Sequence, residues 1–218
     1  MSKIDLSGPE REPVSGKNPK QLVLLLHGLG ADGNDMIDLA PEFAEVLPDA
    51  HFISPNAPFP CDMAPFGFQW FSLMSYTAEK MLEGARTAEP ILNDFIDESL
   101  KRFGLKDKDC ALVGFSQGTM MSLHVSIRRE KPLAGVLGYS GALVEPPSLK
   151  DEVKTKLPIC LIHGAMDPVV PFMAMEKAAN ALNSVGMDVE THSRPMLPHG
   201  IDMDGINIGK KFLKKIFS

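Results

Sequence analysis

Six short apolar runs recur along the chain, at residues 22–27, 51–54, 110–115, 134–139, 159–163 and 189–193. Most are nearly continuous rather than alternating, the pattern of strands covered on both faces. The segments between them carry helical spacing. Ile91, Leu92, Phe95, Ile96, Leu100 and Phe103 fall three or four residues apart and are followed by Gly104, a residue suited to a helix C-cap. Residues 172–185 form a second helical segment stopped by Gly186, and the helix after the second strand is expected to begin near Glu79. Strands alternating with helices predict an α/β domain, with a mainly parallel sheet and helices on both faces. The 218 residues suit one such domain, residues 1–218, with an irregular N-terminal segment over 1–20. No internal repeat or linker interrupts it. In sheets of this kind ligands bind beyond the carboxyl ends of the strands, so chemistry is sought in the strand-end loops.

Composition narrows the function classes. The hydrophobic fraction is 44%, the charged fraction 23% and the net charge −6, with no dense basic patch, which argues against a nucleic-acid partner. The stretch QLVLLLHG is too short to span a bilayer, and stable membrane insertion is not expected. The first twenty residues are polar and rich in Pro and Gly, without a signal-peptide pattern. Cys61, Cys110 and Cys160 are widely separated and suggest neither disulfides nor a metal site. The expectation is a cytoplasmic protein without cofactor or metal. The C-terminal GKKFLKKIFS reads as a last helix, with Lys210, Lys211, Lys214 and Lys215 solvated near its negative end.

The run at 110–115 continues into GFSQG, residues 114–118, and then into the helix-like QGTMMSLHVSIRRE. G-x-S-x-G between a strand and a helix is the signature of a nucleophile elbow, with Ser116 lifted clear of the sheet. A serine needs a base, and in this arrangement the acid and then the histidine follow it along the chain. Of His124, His163, His192 and His199, only His199 sits in a late loop, MLPHGID, which makes it the best base. Asp167 follows the 159–163 strand in HGAMDPVVP and is preferred as the acid over Asp151 and Asp188, neither of which follows a buried strand. An oxyanion hole requires the N–H after the nucleophile, Gln117, and one from an early strand-end loop. HGLGADG, with Leu29, is that loop. Its G-x-G-x-x-G spacing also fits dinucleotide binding, but the next strand runs into ISPNAP with no carboxylate at its end, so that reading fails.

The segments LLLHGLGADGND, PNAP, QWFSL, GFSQG, YSGAL, HGAMDPVVP and PHGID together resemble the phospholipase/carboxylesterase family of α/β-hydrolases, which includes bacterial carboxylesterases and acyl-protein thioesterases. The resemblance covers nearly the whole chain. It implies an α/β-hydrolase fold without a large cap domain, a Ser116–Asp167–His199 triad, and an oxyanion hole from the Leu29 and Gln117 amides. It further implies an acyl groove lined by Leu29, Leu73 and Val169 and shaped from behind by Trp70 and Phe71. Where family members often carry an aspartate after the Trp-aromatic pair, this chain has Ser72. The function expected is hydrolysis of short- to medium-chain acyl esters through an acyl-enzyme, by a monomer or homodimer. Acyl-protein thioesterase and lysophospholipase are the neighbouring activities, and a non-catalytic binding module is the alternative from another class.

Overall fold

The computed structural model describes residues 4–218. In chain order its strands are β1 (Glu10–Arg11), β2 (Gln21–Leu26), β3 (Ala50–Ile53), β4 (Phe59–Pro60), β5 (Phe68–Gln69), β6 (Cys110–Phe115), β7 (Gly135–Tyr139), β8 (Pro158–Gly164) and β9 (Asp188–Arg194). The helices are α1 (Gly33–Ile37), α2 (Ala40–Ala44), α3 (Ala78–Phe103), α4 (Gln117–Ser126), α5 (Leu149–Glu152), α6 (Met173–Ser184) and α7 (Met203–Ile216). Seven strands form one sheet in the order β1-β3-β2-β6-β7-β8-β9. All pairings in it are parallel except β1 with β3. The six expected strands are all present, displaced by at most one residue at an end. Within the segment expected to be irregular, Glu10 and Arg11 pair with Ile53 and Phe52 and so form an edge strand.

The period of two along each strand divides the core. Leu22, Leu24 and Leu26 of β2 and Cys110 and Leu112 of β6 face one cluster with α3, α4 and α6. Val23, Leu25, Ala111 and Val113 face the other, with α1, α2 and α7. Leu22 to Leu26 are all fully buried, and truncating one leucine to alanine at such a site costs about 2–5 kcal/mol. Helix α4 is buried at all ten residues, as a helix lying between the sheet and α3 must be. Helix α3 starts at Thr77, whose side chain accepts from the Lys80 N–H. It ends at Gly104 in the left-handed conformation, and its buried face runs through Leu82, Ala85, Ala88, Leu92 and Ile96. One expectation is corrected on α7. Lys210 is buried and pairs with Glu42 and Glu45 at 2.6 and 3.0 Å, because its helical face turns toward α2 rather than solvent.

Among the described residues no helix is long and apolar enough to cross a membrane.

Candidate active site

Ser116 lies between β6 and α4 with φ 53° and ψ −114°, a left-handed conformation that costs a residue with a Cβ roughly 1–3 kcal/mol. The surroundings hold it there. Its N–H donates to the Tyr139 carbonyl at 2.9 Å, and its carbonyl accepts from the Met120 N–H at 3.2 Å. The turn is tight enough that a Cβ on Gly118 would lie 1.9 Å from the Leu26 carbonyl oxygen, so only glycine fits. The Ser116 hydroxyl does not cap α4.

Asp167 follows β8. Its Oδ1 accepts from the backbone N–H groups of Val169 and Val170 at 2.8 and 2.9 Å, an arrangement that turns Oδ2 toward the loop after β9. There Oδ2 meets His199 Nδ1 at 2.7 Å. A carboxylate accepts, so Nδ1 carries the proton and Nε2 retains its lone pair. Burial alone would raise the Asp167 pKa, but hydrogen bonds from His199, Val170 and Val169 hold it below the ordinary aspartate value. The His199 loop is seated against β8: a Cβ on Gly164 would lie 2.3 and 2.4 Å from the Leu197 and Pro198 carbonyl oxygens. The imidazole of His199 rests against the ring of Phe115, centroids 4.8 Å apart, which brings it beside the residue preceding Ser116. Of the other histidines, His163 is buried with Nε2 2.9 Å from the Val170 carbonyl and 3.3 Å from Asp167 Oδ2, a structural position. His124 is buried against Glu89, and His192 lies on the edge strand β9. The rival acid Asp151 is on α5, and Asp188 opens β9.

The loop after β2 approaches the serine: a Cβ on Gly28 would stand 3.3 Å from Ser116 Cβ. Among the described residues, the backbone N–H groups of Leu29 and Gln117 have no protein acceptor. His27, ahead of this loop, is fully buried, and burial holds its pKa below the ordinary histidine value. Its Nε2 accepts from the Ala57 N–H at 2.9 Å, so the proton is on Nδ1, which donates to the Gly28 carbonyl at 2.7 Å.

A network absent from the sequence expectations joins the two amide-bearing segments. The Gln117 side chain accepts from the Trp70 N–H at 2.9 Å and donates to the Phe71 carbonyl at 2.8 Å. Trp70 Nε1 in turn donates to the His27 carbonyl at 3.0 Å. Trp70 and Phe71 are buried. Leu29 and Leu73 are half-buried and Val169 is exposed. None of these three lines the two cavities that flank the loops, one of about 510 Å³ beside Phe71 and the start of α3, the other of about 210 Å³ beside Gly28 and Phe115. Ser72, the residue after the Trp-aromatic pair, accepts from the Met74 N–H at 3.2 Å, and its hydroxyl helps keep the Asp62 carboxyl below its ordinary value. Among the described residues a set of metal-ligand type, Cys160, Glu190 and His192, lies on β8 and β9 rather than in these loops.

A parallel sheet with helices on both faces and a strained serine at a strand–helix turn define an α/β-hydrolase. The family model for phospholipases and carboxylesterases matches residues 13–217, and the chain belongs to that family of carboxylic ester hydrolases. It is 34% identical over 187 residues to esterase YpfH of Escherichia coli K12, spanning 85% of this chain and 78% of that one. It is 30% identical over 214 residues to acyl-protein thioesterase 1 of Aspergillus fumigatus, spanning 89% and 87%. Among solved structures, esterase PE8 superposes with a TM-score of 0.93 at 40% identity, covering 98% of this chain and all of that one.

Proposed function

We propose that this protein is a serine carboxylesterase acting on short- to medium-chain acyl esters through a Ser116–His199–Asp167 triad and an acyl-enzyme. The observation that carries the reading is the 2.7 Å contact between His199 Nδ1 and Asp167 Oδ2, with the His199 ring against Phe115, the neighbour of a serine held in a strained turn. With its proton on Nδ1, His199 is able to take the Ser116 hydroxyl proton on Nε2 as Oγ attacks the ester carbonyl carbon. The carbonyl oxygen becomes an oxyanion facing the Leu29 and Gln117 N–H groups and the N-terminus of α4. Collapse breaks the bond to the alcohol, which leaves with the proton from Nε2, and Ser116 remains acylated. Water then repeats the sequence and releases the acid. Asp167 stabilises the imidazolium in both halves.

Leu29, Leu73 and Val169 are assigned to the acyl side, with Trp70 and Phe71 behind them. Val169, Met74 and Met166 are 60%, 71% and 59% exposed, which favours a shallow groove and a preference for chains of limited length. Hydrolysis within one domain, residues 1–218, in the cytoplasm, as monomer or homodimer and without cofactor, completes the reading. The test is turnover by folded Ser116→Ala protein against a panel of esters, thioesters and lysolipids of matched chain length. The reading expects wild-type activity greatest on the short and medium esters and none in the variant. Substantial turnover by the variant overturns it, and preference for a long-chain thioester or a lysolipid moves the assignment to the neighbouring activities.

A further inference from the structure

The cavity of about 210 Å³ is lined by His27, Gly28, Ala31, Asp35, Met36, Phe115 and Ile201. Its position relative to the reacting groups follows from two contacts and from chain adjacency. Gly28 abuts Ser116, Phe115 precedes Ser116 and stacks on the His199 ring, and Ile201 follows His199 by two residues. The histidine must hand its proton to the departing alcohol oxygen, so the alcohol lies on the side of the serine that the imidazole occupies. The cavity walls are Met36, Phe115, Ile201 and Ala31, and His27 is kept neutral by its burial and by accepting from Ala57. Asp35 is the one charged side chain in the lining, is exposed at the start of α1, and has no lysine or arginine beside it in that lining. Asp32 adds a second carboxylate close enough to act on His27.

We infer that this cavity is the leaving-group subsite and that it selects esters of small alcohols that are apolar or cationic, disfavouring anionic alcohols and thiols. The inference rests on the triad reading and deepens it. An apolar wall with a carboxylate at its rim accepts an alkyl or alkylammonium group and repels a phosphate- or sulfonate-bearing one. Across several ångströms of partly solvated space, one carboxylate changes such a preference by about 3- to 10-fold.

The experiment compares three butyrate esters: of choline, of its neutral isostere 3,3-dimethylbutanol, and of 3-hydroxypropanesulfonate. Intrinsic ester reactivity cancels when the ratio of kcat/KM values is compared between wild type and Asp35→Asn. The choline-to-neutral ratio is expected to fall about 3- to 10-fold in the variant and the sulfonate-to-neutral ratio to rise by a similar factor. Raising the salt concentration should shift the wild-type ratios in the same directions, because the Debye length contracts to about 3 Å at 1 M. Glu176→Asn, a change at an exposed position on α6 outside the lining, should leave both ratios alone. Ratios insensitive to both Asp35→Asn and salt overturn the subsite assignment. So does an Asp35 effect that follows a cation on the acyl group, measured with ethyl 4-(trimethylammonio)butyrate, instead of one on the alcohol. Absence of turnover on every ester, with Ser116 unreactive to a fluorophosphonate, defeats the triad reading itself.

Discussion

Replacing Gln117 with leucine tests whether the side chain next to the nucleophile holds the two amide-bearing loops together. Leucine is similar in bulk and makes no hydrogen bond. The substitution leaves the Trp70 N–H and the Phe71 carbonyl, both now bonded to Gln117 at 2.9 and 2.8 Å, without that partner in a buried site. Each unsatisfied buried group costs about 1–3 kcal/mol, so the pair costs about 2–6 kcal/mol. For a chain of 218 residues, at roughly 2–4 °C per kcal/mol, Tm should drop by about 4–24 °C. Catalysis should suffer separately. The backbone N–H of this residue is assigned to the oxyanion hole, and misplacing one such donor costs up to about 10³-fold. The oxyanion exists only after attack, so kcat should fall much more than KM rises when both are measured well below the lowered Tm. Melting by circular dichroism together with steady-state kinetics on a butyrate ester provides both readouts. A Tm within about 2 °C of wild type refutes the clamp, and a lowered Tm with unchanged kcat refutes its bearing on the oxyanion hole.

Asp167→Asn should leave KM nearly unchanged and lower kcat by a factor on the order of 10⁴, since the imidazole would then be held in the wrong tautomer. Steady-state kinetics should find Asp151→Asn close to wild type, and the reverse pattern would identify Asp151 as the acid. Leu73→Ala should widen the groove and reduce kcat/KM most for medium-chain esters, at about 0.8 kcal/mol for each substrate methylene that is no longer buried. A uniform loss across a chain-length series would place Leu73 outside the groove. Burial depresses the pKa values of His27 and His124 below 6.5, so the unfolded chain binds more protons than the native one beneath that pH. Native stability is therefore expected to decline as pH falls below about 6.5, toward the depressed native values, and denaturant melts at pH 7 and pH 5 would detect it. Equal stability at the two pH values would contradict the neutral, buried state of both rings.

The parts of the molecule written in local pattern were legible in the sequence. Continuous apolar runs gave β2, β3, β6, β7 and β8 because strands covered on both faces need such runs along their whole length, whereas β9, DVETHSR at the sheet edge, carries no such run and is exposed or half-buried throughout. Ser116, Asp167 and His199 stand out in the sequence because each follows a strand in a loop with its own punctuation: paired glycines, a following proline, a Pro-His-Gly turn; of these the structure pairs Asp167 with His199. The β4–β5 hairpin was not legible, as two residues per strand with Pro60 in one carry no alternation. The short helices α1 and α2 were missed for a related reason. Five residues hold little more than one turn, and α1 depends on the Asp32 cap for its start. The clamp through His27, Trp70 and Gln117 joins residues more than forty positions apart, and no local spacing announces it. Lys210 was misread because its two carboxylate partners, Glu42 on α2 and Glu45 at its C-cap, lie far away in sequence.

The central claim, that Ser116 is the nucleophile, is tested most directly by the mass of the protein after reaction with a fluorophosphonate. The account predicts one adduct per chain, mapped by peptide sequencing to Ser116, slowed strongly in Asp167→Asn and absent in Ser116→Ala. An adduct on another residue such as Ser140, or a Ser116→Ala protein labelled as fast as wild type, would contradict it.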